Sequence, residues 1–408
     1  MEMTRQSKWL VLAFAFSATV INYLDRQTLS VLAPVLLVQY QISAVSYARI
    51  VSAFMLAYTI SNGLSGRLLD RLGSRTGYAV TIALWSAAEM LHAFAKGALG
   101  LGICRFFLGI GEAGNYPAGV KLIAEWFPVK ERSFAAGVFN SGAAIGAILA
   151  PPLLAWIALS FGIRAAFLIV GLLGFVWLAA WLTVYKHPPQ SSMERLAPVA
   201  TSQLLRSKFL WQFTFSKVFS DPVWYFYTFW FPQYLRAEFQ FTLKEIGATA
   251  WIPFLTAAVG NIAGGLLFVP LSKWSRSPQT ARRMSVLIFS ALMTSALGIP
   301  ASTSPTMSIA LVSIATFGYS GALANLLALP ADVFQHDAVA SVWGFASVGS
   351  GFGGMLFALI TGWIVQHYSF VPAFVLFGIL PAISAVLIWT LPKDAGFIHS
   401  SALPEIGD

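Results

Sequence analysis

Four ionisable residues stand inside long apolar stretches: Asp25 and Arg26, in the run Ile21-Asn22-Tyr23-Leu24-Asp25-Arg26, and Arg105 and Glu112 further along. A charge at the centre of a membrane-buried helix costs about 2.5–3.5 kcal/mol even on a lenient insertion scale. Pairing explains why such residues are tolerated, but not why they are present, because apolar replacements would usually be at least as stable. Arg105 and Glu112 are separated by seven positions, about 20° in direction and about 10 Å of rise on a helix, so both look into one cavity. Two arginines suit an anion: a guanidinium grips a carboxylate through two parallel N–H donors. Asp25, Arg26, Arg105 and Glu112 sum to zero when ionised, so an entering carboxylate brings one negative charge into low dielectric and a proton on one acid restores neutrality. Arg26 is expected to grip the anion, Glu112 to take a proton and release Arg105, and Asp25 to be a second proton site.

Polar and aromatic residues at comparable depth could complete a binding site. Asn22, Tyr23, Tyr58, Arg105, Asn115, Asn140, Trp224 and Tyr227 are the candidates, with Tyr225 and Trp230 beside the last two. Each taken alone could equally be packing or interfacial anchoring. Asp221-Pro222 reads as a kink whose acid is either a third buried carboxyl or a cap. Glu89, His92 and Lys96 fall near a span end and read as a solvated face, while Lys121 snorkels. Glycines at 142 and 146, and at 344, 349, 351, 353 and 354, suit close helix packing. They form no phosphate loop, since no Lys-Ser/Thr follows them, and neither a metal cluster nor a cofactor motif accompanies them.

The elements that position these residues are apolar helices. The chain has 408 residues, 57% of them hydrophobic and only 10% charged, too little polar surface to cover a soluble globule. A spanning helix needs about 20 apolar residues. Twelve spans fit, at 9–37, 46–68, 76–95, 98–126, 133–158, 162–185, 209–236, 244–272, 281–301, 305–330, 337–366 and 371–391. The first is expected to be retained rather than cleaved as a signal peptide, because Asp25-Arg26 interrupts it. The formal net charge of +9 falls in short basic clusters between spans, which excludes nucleic acid as the partner and leaves lipid. With both termini in the cytoplasm, basic residues such as Arg67, Arg71, Arg75, Lys130, Arg132, Lys273, Arg276, Arg282 and Arg283 lie inside, against Arg49, Lys96, Arg164, Arg236 and Lys244 outside. Only the stretch 332–337 lacks a cation on the inner side. Cys104 is the only cysteine, so no intramolecular disulfide forms. The polar stretch after Lys186, with Pro188, Pro189 and Pro198, divides the chain. The expected organisation is an N-terminal six-helix bundle (1–187), a linker (188–207), a C-terminal six-helix bundle (208–394) and a tail (395–408). This is an all-α membrane protein whose ligand would sit between two rocking halves.

Between the second and third spans lies Gly66-Arg67-Leu68-Leu69-Asp70-Arg71-Leu72-Gly73-Ser74-Arg75, in which Gly66, Asp70, Arg71, Gly73 and Arg75 are placed to act as a conformational latch. This segment resembles the signature loop of the major facilitator superfamily. Over nearly its whole length the chain resembles that superfamily's anion:cation symporter branch, which includes bacterial sugar-acid carriers and the vesicular glutamate and lysosomal sialic acid transporters. The branch pattern of a first-helix Arg and a fourth-helix Arg followed seven later by Glu is met by Arg26, Arg105 and Glu112. The runs at 21–26, 111–117, 125–132 and 221–225 most resemble hexuronate carriers. Ala143, where galactonate-type carriers commonly have Gln, favours a uronate over an aldonate. The resemblance implies a monomeric bacterial inner-membrane symporter, not an enzyme, that imports a sugar-acid anion with protons. An aldonate or other organic-anion symporter, an organic-anion exchanger and a non-transporting sensor are the alternatives.

Overall fold

The computed structural model describes residues 5–185, 204–334 and 336–392. Most of the expected linker and the whole expected tail lie outside the described residues. Among the described residues there are thirteen α-helices: α1 (Arg5–Gln39), α2 (Ala44–Leu91), α3 (Gly97–Glu112), α4 (Asn115–Trp126), α5 (Val129–Phe161), α6 (Ile163–Val184), α7 (Lys208–Phe239), α8 (Leu243–Thr249), α9 (Ile252–Ser275), α10 (Pro278–Met293), α11 (Pro305–Ala328), α12 (His336–His367) and α13 (Phe370–Trp389). Short 3-10 turns at His92–Phe94, Thr294–Ala301 and Leu329–Asp332 extend α2, α10 and α11.

Twelve crossings follow from these. A straight helix the length of α2, 48 residues, would run about 72 Å, far more than a bilayer core. Gly73 breaks it with φ 73° and ψ 164°, and the chain folds back so closely that a Cβ on Gly77 would meet Leu69 Cα at 3.2 Å. α2 therefore supplies two spans. α3 with α4, and α8 with α9, each make one crossing from two pieces. Among the described residues nine stretches are long and apolar enough to span by composition. α1 and α7 are also long enough to span, and they carry buried charge in Asp25, Lys217 and Asp221.

Glycine brings helices together within and between the halves. Gly142 and Gly146 of α5 lie against the Phe16 and Val20 carbonyls of α1, where a Cβ would approach to 2.6 Å. In α12, Gly349 and Gly353 face Thr214 and Val218 of α7, and Gly351 faces Thr59 of α2. Gly344 has open space instead. The inter-half hydrogen bonds among the described residues join Ser30 to the Thr228 carbonyl, Tyr47 to the Phe229 carbonyl, Ser52 to the Met355 carbonyl and the Val45 amide to Gln366. All belong to the part of the molecule that carries the connection between α1 and α2, which we call the closed end. The expected latch residues lie at the opposite end. There Asp70 pairs with Lys121 at 2.7 Å, and Arg75 donates to the Leu182 carbonyl.

At the closed end Gly362 sits against α2, and a Cβ there would be 2.3 Å from Ala48 Cβ and 2.8 Å from the Ala44 carbonyl. Overpacking of this kind costs about 1–3 kcal/mol. In a Cys104→Ala background, Gly362→Val should therefore raise labelling of a cysteine placed at the buried Ser30 by a membrane-impermeant thiol reagent, by about fivefold to a hundredfold. Unchanged labelling would contradict the packing described.

Candidate functional site

α1, the α3–α4 crossing and α5 meet around a cavity of about 80 Å³ lined by Thr19, Asn22, Tyr23, Arg26, Tyr58, Glu112, Asn115, Tyr116, Phe139, Asn140 and Ala143. Six of the nine residues expected to bind the ligand (Asn22, Tyr23, Arg26, Tyr58, Asn115 and Asn140), and the expected proton acceptor Glu112, line this space. Arg26 places both Nε, at 2.9 Å, and Nη2, at 2.8 Å, on Glu112 Oε2. Its guanidinium carbon lies over the rings of Tyr23, Phe54 and Tyr58, 5.0, 5.4 and 4.8 Å from their centres. The aromatic collar holds the guanidinium plane by cation–π attraction while leaving N–H donors for a ligand. Asn115 is fixed by Tyr78, whose hydroxyl donates to it at 2.7 Å, and donates in turn to Thr19.

The remaining expected residues lie elsewhere. Arg105 is buried behind Arg26 and donates to the Arg26 carbonyl at 3.1 Å, so the partner that Glu112 holds is Arg26 and not Arg105. Both residues belong to α3, but their separation of about 10 Å along it leaves only Glu112 in the cavity wall, so the two do not look into one cavity. Asp25 is fully buried and makes no hydrogen bond through either oxygen. Trp224 stacks on Tyr319, with ring centres 5.4 Å apart. Tyr227 is packed against Phe226 and Phe374, its hydroxyl without a hydrogen bond.

Sequence reading missed two features. Glu89 and His92 are not on a solvated face: they are 0% and 2% exposed, with His92 stacked on Phe167. Their i, i+3 spacing in an otherwise apolar helix was the available signal. Lys217 was passed over, though it lies four positions before Asp221 on α7. The two form a buried ion pair at 2.7 Å, and Ser220 and Tyr319 also donate to Asp221. Asp221 is thus a paired acid rather than a cap. Removing one partner of a buried pair costs about 3–5 kcal/mol, whereas replacing both can be neutral. Lys217→Met should lower the melting temperature of the purified protein markedly, and Lys217→Met with Asp221→Leu should recover most of the loss. A double variant no more stable than the single one would show that the pair is not what the site needs.

The sequence model of the Major Facilitator Superfamily matches residues 15–280 and 279–402. The chain belongs to this superfamily. Its relatives include the "Hexuronate transporter" of Escherichia coli strain K12, 33% identical over 95% of this chain and 94% of that one. The "Galacturonate transporter" of Dickeya chrysanthemi is 35% identical over 74% of this chain and 94% of its own length. The fold is also that of a solved bacterial homologue of the human lysosomal transporter Spinster, with a TM-score of 0.78 at 16% identity over 95% of this chain and 97% of that one. Membership makes the chain a multi-pass membrane transporter.

Proposed function

We propose that this superfamily member imports a sugar-acid anion, a hexuronate such as glucuronate or galacturonate, together with protons, by alternating access across the bacterial inner membrane. The observation that carries the reading is the Arg26–Glu112 pair in the cavity wall. A substrate carboxylate can replace Glu112 on the Arg26 fork only when Glu112 gives up its charge, so one proton and one anion stabilise each other at a single guanidinium. Relatives named for hexuronate, galacturonate and galactonate transport support the substrate class. Asn22, Asn115, Asn140 and Tyr58 would hold the sugar hydroxyls, with Trp224 contributed from the other half. The excess of arginine and lysine at the latch end, with Gly66, Asp70, Arg71, Gly73 and Arg75, supports a cytoplasmic latch and cytoplasmic termini, which makes the closed end extracytoplasmic.

Linkage fixes the sign of the pH effect. If substrate binding takes up one proton, affinity rises as pH falls, by up to tenfold per unit, and is lost as pH rises. Titration of the detergent-purified protein with glucuronate between pH 5 and 8 should show this slope, and glucose, which has no carboxylate, should not bind. A pH-independent affinity would contradict the coupling and favour exchange.

A further inference from the structure

A second ionisable cluster lies beyond the cavity, toward the closed end, and the mechanism above leaves it unused. Glu89 is buried in α2 three residues before His92, and neither of its carboxyl oxygens makes a hydrogen bond. Glu89 Oε2 is 3.8 Å from His92 Nδ1, but that nitrogen is 2.8 Å from the Ala88 carbonyl, and Nε2 makes no hydrogen bond. From α1 come Asp25, also without a hydrogen bond at either oxygen, and Thr28, whose hydroxyl is spent on the Leu24 carbonyl. From α3 come Arg105, whose field reaches Asp25, Glu89 and Glu112 alike, and the thiol of Cys104. Tyr47, in the first half of α2, lies within the field of Arg105, with its hydroxyl donating to the Phe229 carbonyl. Arg105 spends Nη1 on the Arg26 carbonyl, while Nε and Nη2 are buried without a hydrogen bond.

Charge counting gives this cluster a role. With Arg26 taken by Glu112, Arg105 is the guanidinium of this cluster, within electrostatic reach of two carboxyls, Asp25 and Glu89. One cation neutralises one carboxylate; a second ionised carboxylate, buried without a donor, takes a proton instead. Two of the acids lie at different depths from the closed end: Glu89 is two positions from the end of α2, whereas Arg105 lies eight positions into α3 and Glu112 fifteen, about 10 Å deeper than Arg105, with Asp25, fourteen positions from the end of α1, level with Glu112. Asp25 lies within electrostatic reach of both Glu89 and Glu112.

We propose that Glu89 is the site at which the co-transported proton is loaded from the extracytoplasmic side, and that it passes by way of Asp25, around Arg105, to Glu112. The O–H bond of Glu89 breaks and an O–H bond forms first on the Asp25 carboxylate and then on that of Glu112. Glu112 loses its charge and releases Arg26 to the substrate, while Glu89 regains a proton from the extracytoplasmic solution past His92. The proposal rests on the proton-coupled reading above.

The test is glucuronate uptake into proteoliposomes with the internal pH fixed and the external pH varied, for wild type, Glu89→Gln and Glu89→Asp. Counterflow at equal pH, which needs no net proton movement, reports folding. Wild-type uptake should rise as external pH falls. Glu89→Gln should slow proton-driven uptake at least tenfold and flatten its dependence on external pH, and Glu89→Asp should restore a dependence with a displaced midpoint. A Glu89→Gln profile that superimposes on wild type overturns the proposal while leaving proton coupling intact. If Glu89→Gln shows no counterflow, Glu89→Asp decides: a displaced midpoint supports the loading site, and an unmoved one overturns it. A wild type indifferent to external pH overturns the coupling itself, and the loading site with it.

Discussion

Replacing Glu112 with Gln should abolish proton-driven accumulation of a sugar acid while exchange of internal for external substrate persists. With one proton per anion, wild type can concentrate substrate about tenfold for each unit of imposed pH difference, since each unit is worth 1.4 kcal/mol. The Gln side chain keeps the size of Glu112 and can still accept from Arg26, but it cannot take up and release a proton. Its neutral amide also holds Arg26 less tightly than the carboxylate does at 2.8 Å. The anion can therefore still reach the guanidinium, but its passage no longer carries a proton, and the accumulation ratio should fall to about one. The check is the plateau of labelled glucuronate uptake in proteoliposomes beside the counterflow rate of the same preparation. Accumulation at the wild-type ratio in Glu112→Gln would remove Glu112 from the coupling.

Arg26→Ala should have the second large effect, on binding itself. Truncating one member of a buried, hydrogen-bonded charge pair costs about 2–5 kcal/mol, thirtyfold to several-thousandfold in affinity. Here the same change also leaves Glu112 buried without its cation. Arg26→Lys keeps the charge but loses the fork and the flat face that lies over Tyr23 and Tyr58, so it should recover only part of that loss. Binding isotherms at a fixed acidic pH measure both variants. A dissociation constant for Arg26→Ala within threefold of wild type would contradict the assignment of the grip.

Much of this was legible in the residues, for reasons particular to membranes. Without water in the bilayer core a chain crosses as helix, so hydropathy alone placed α5, α6 and α13 within a few residues of where they lie. Asp25, Arg26, Arg105 and Glu112 stood out because charge is rare there. The pairing was not legible. Position within one helix fixes direction and rise, but whether Glu112 meets Arg26 or Arg105 depends on how α1 leans on the α3–α4 crossing. The close approaches around it, of Gly109 in α3 to Phe54 and Tyr58 of α2 and of Gly142 in α5 to Phe16 of α1, are tertiary and cannot be read from one helix. Glu89 and His92 were misplaced for a related reason: an acid and a histidine near a span end ordinarily face water, and it is tertiary packing, including the stacking of Phe167 from α6 on His92, that buries them. Lys217 is a basic residue near the start of a span, where cations commonly snorkel, and its burial depends on Trp343 of α12 lying 5.6 Å above its amine.

The most direct measurement is uptake of radiolabelled glucuronate into proteoliposomes under an imposed inward proton gradient, with and without a protonophore. Accumulation above equilibrium that collapses when the protonophore is added is the result expected of proton-coupled import. Accumulation that survives the protonophore, or uptake that never exceeds equilibrium, would contradict it.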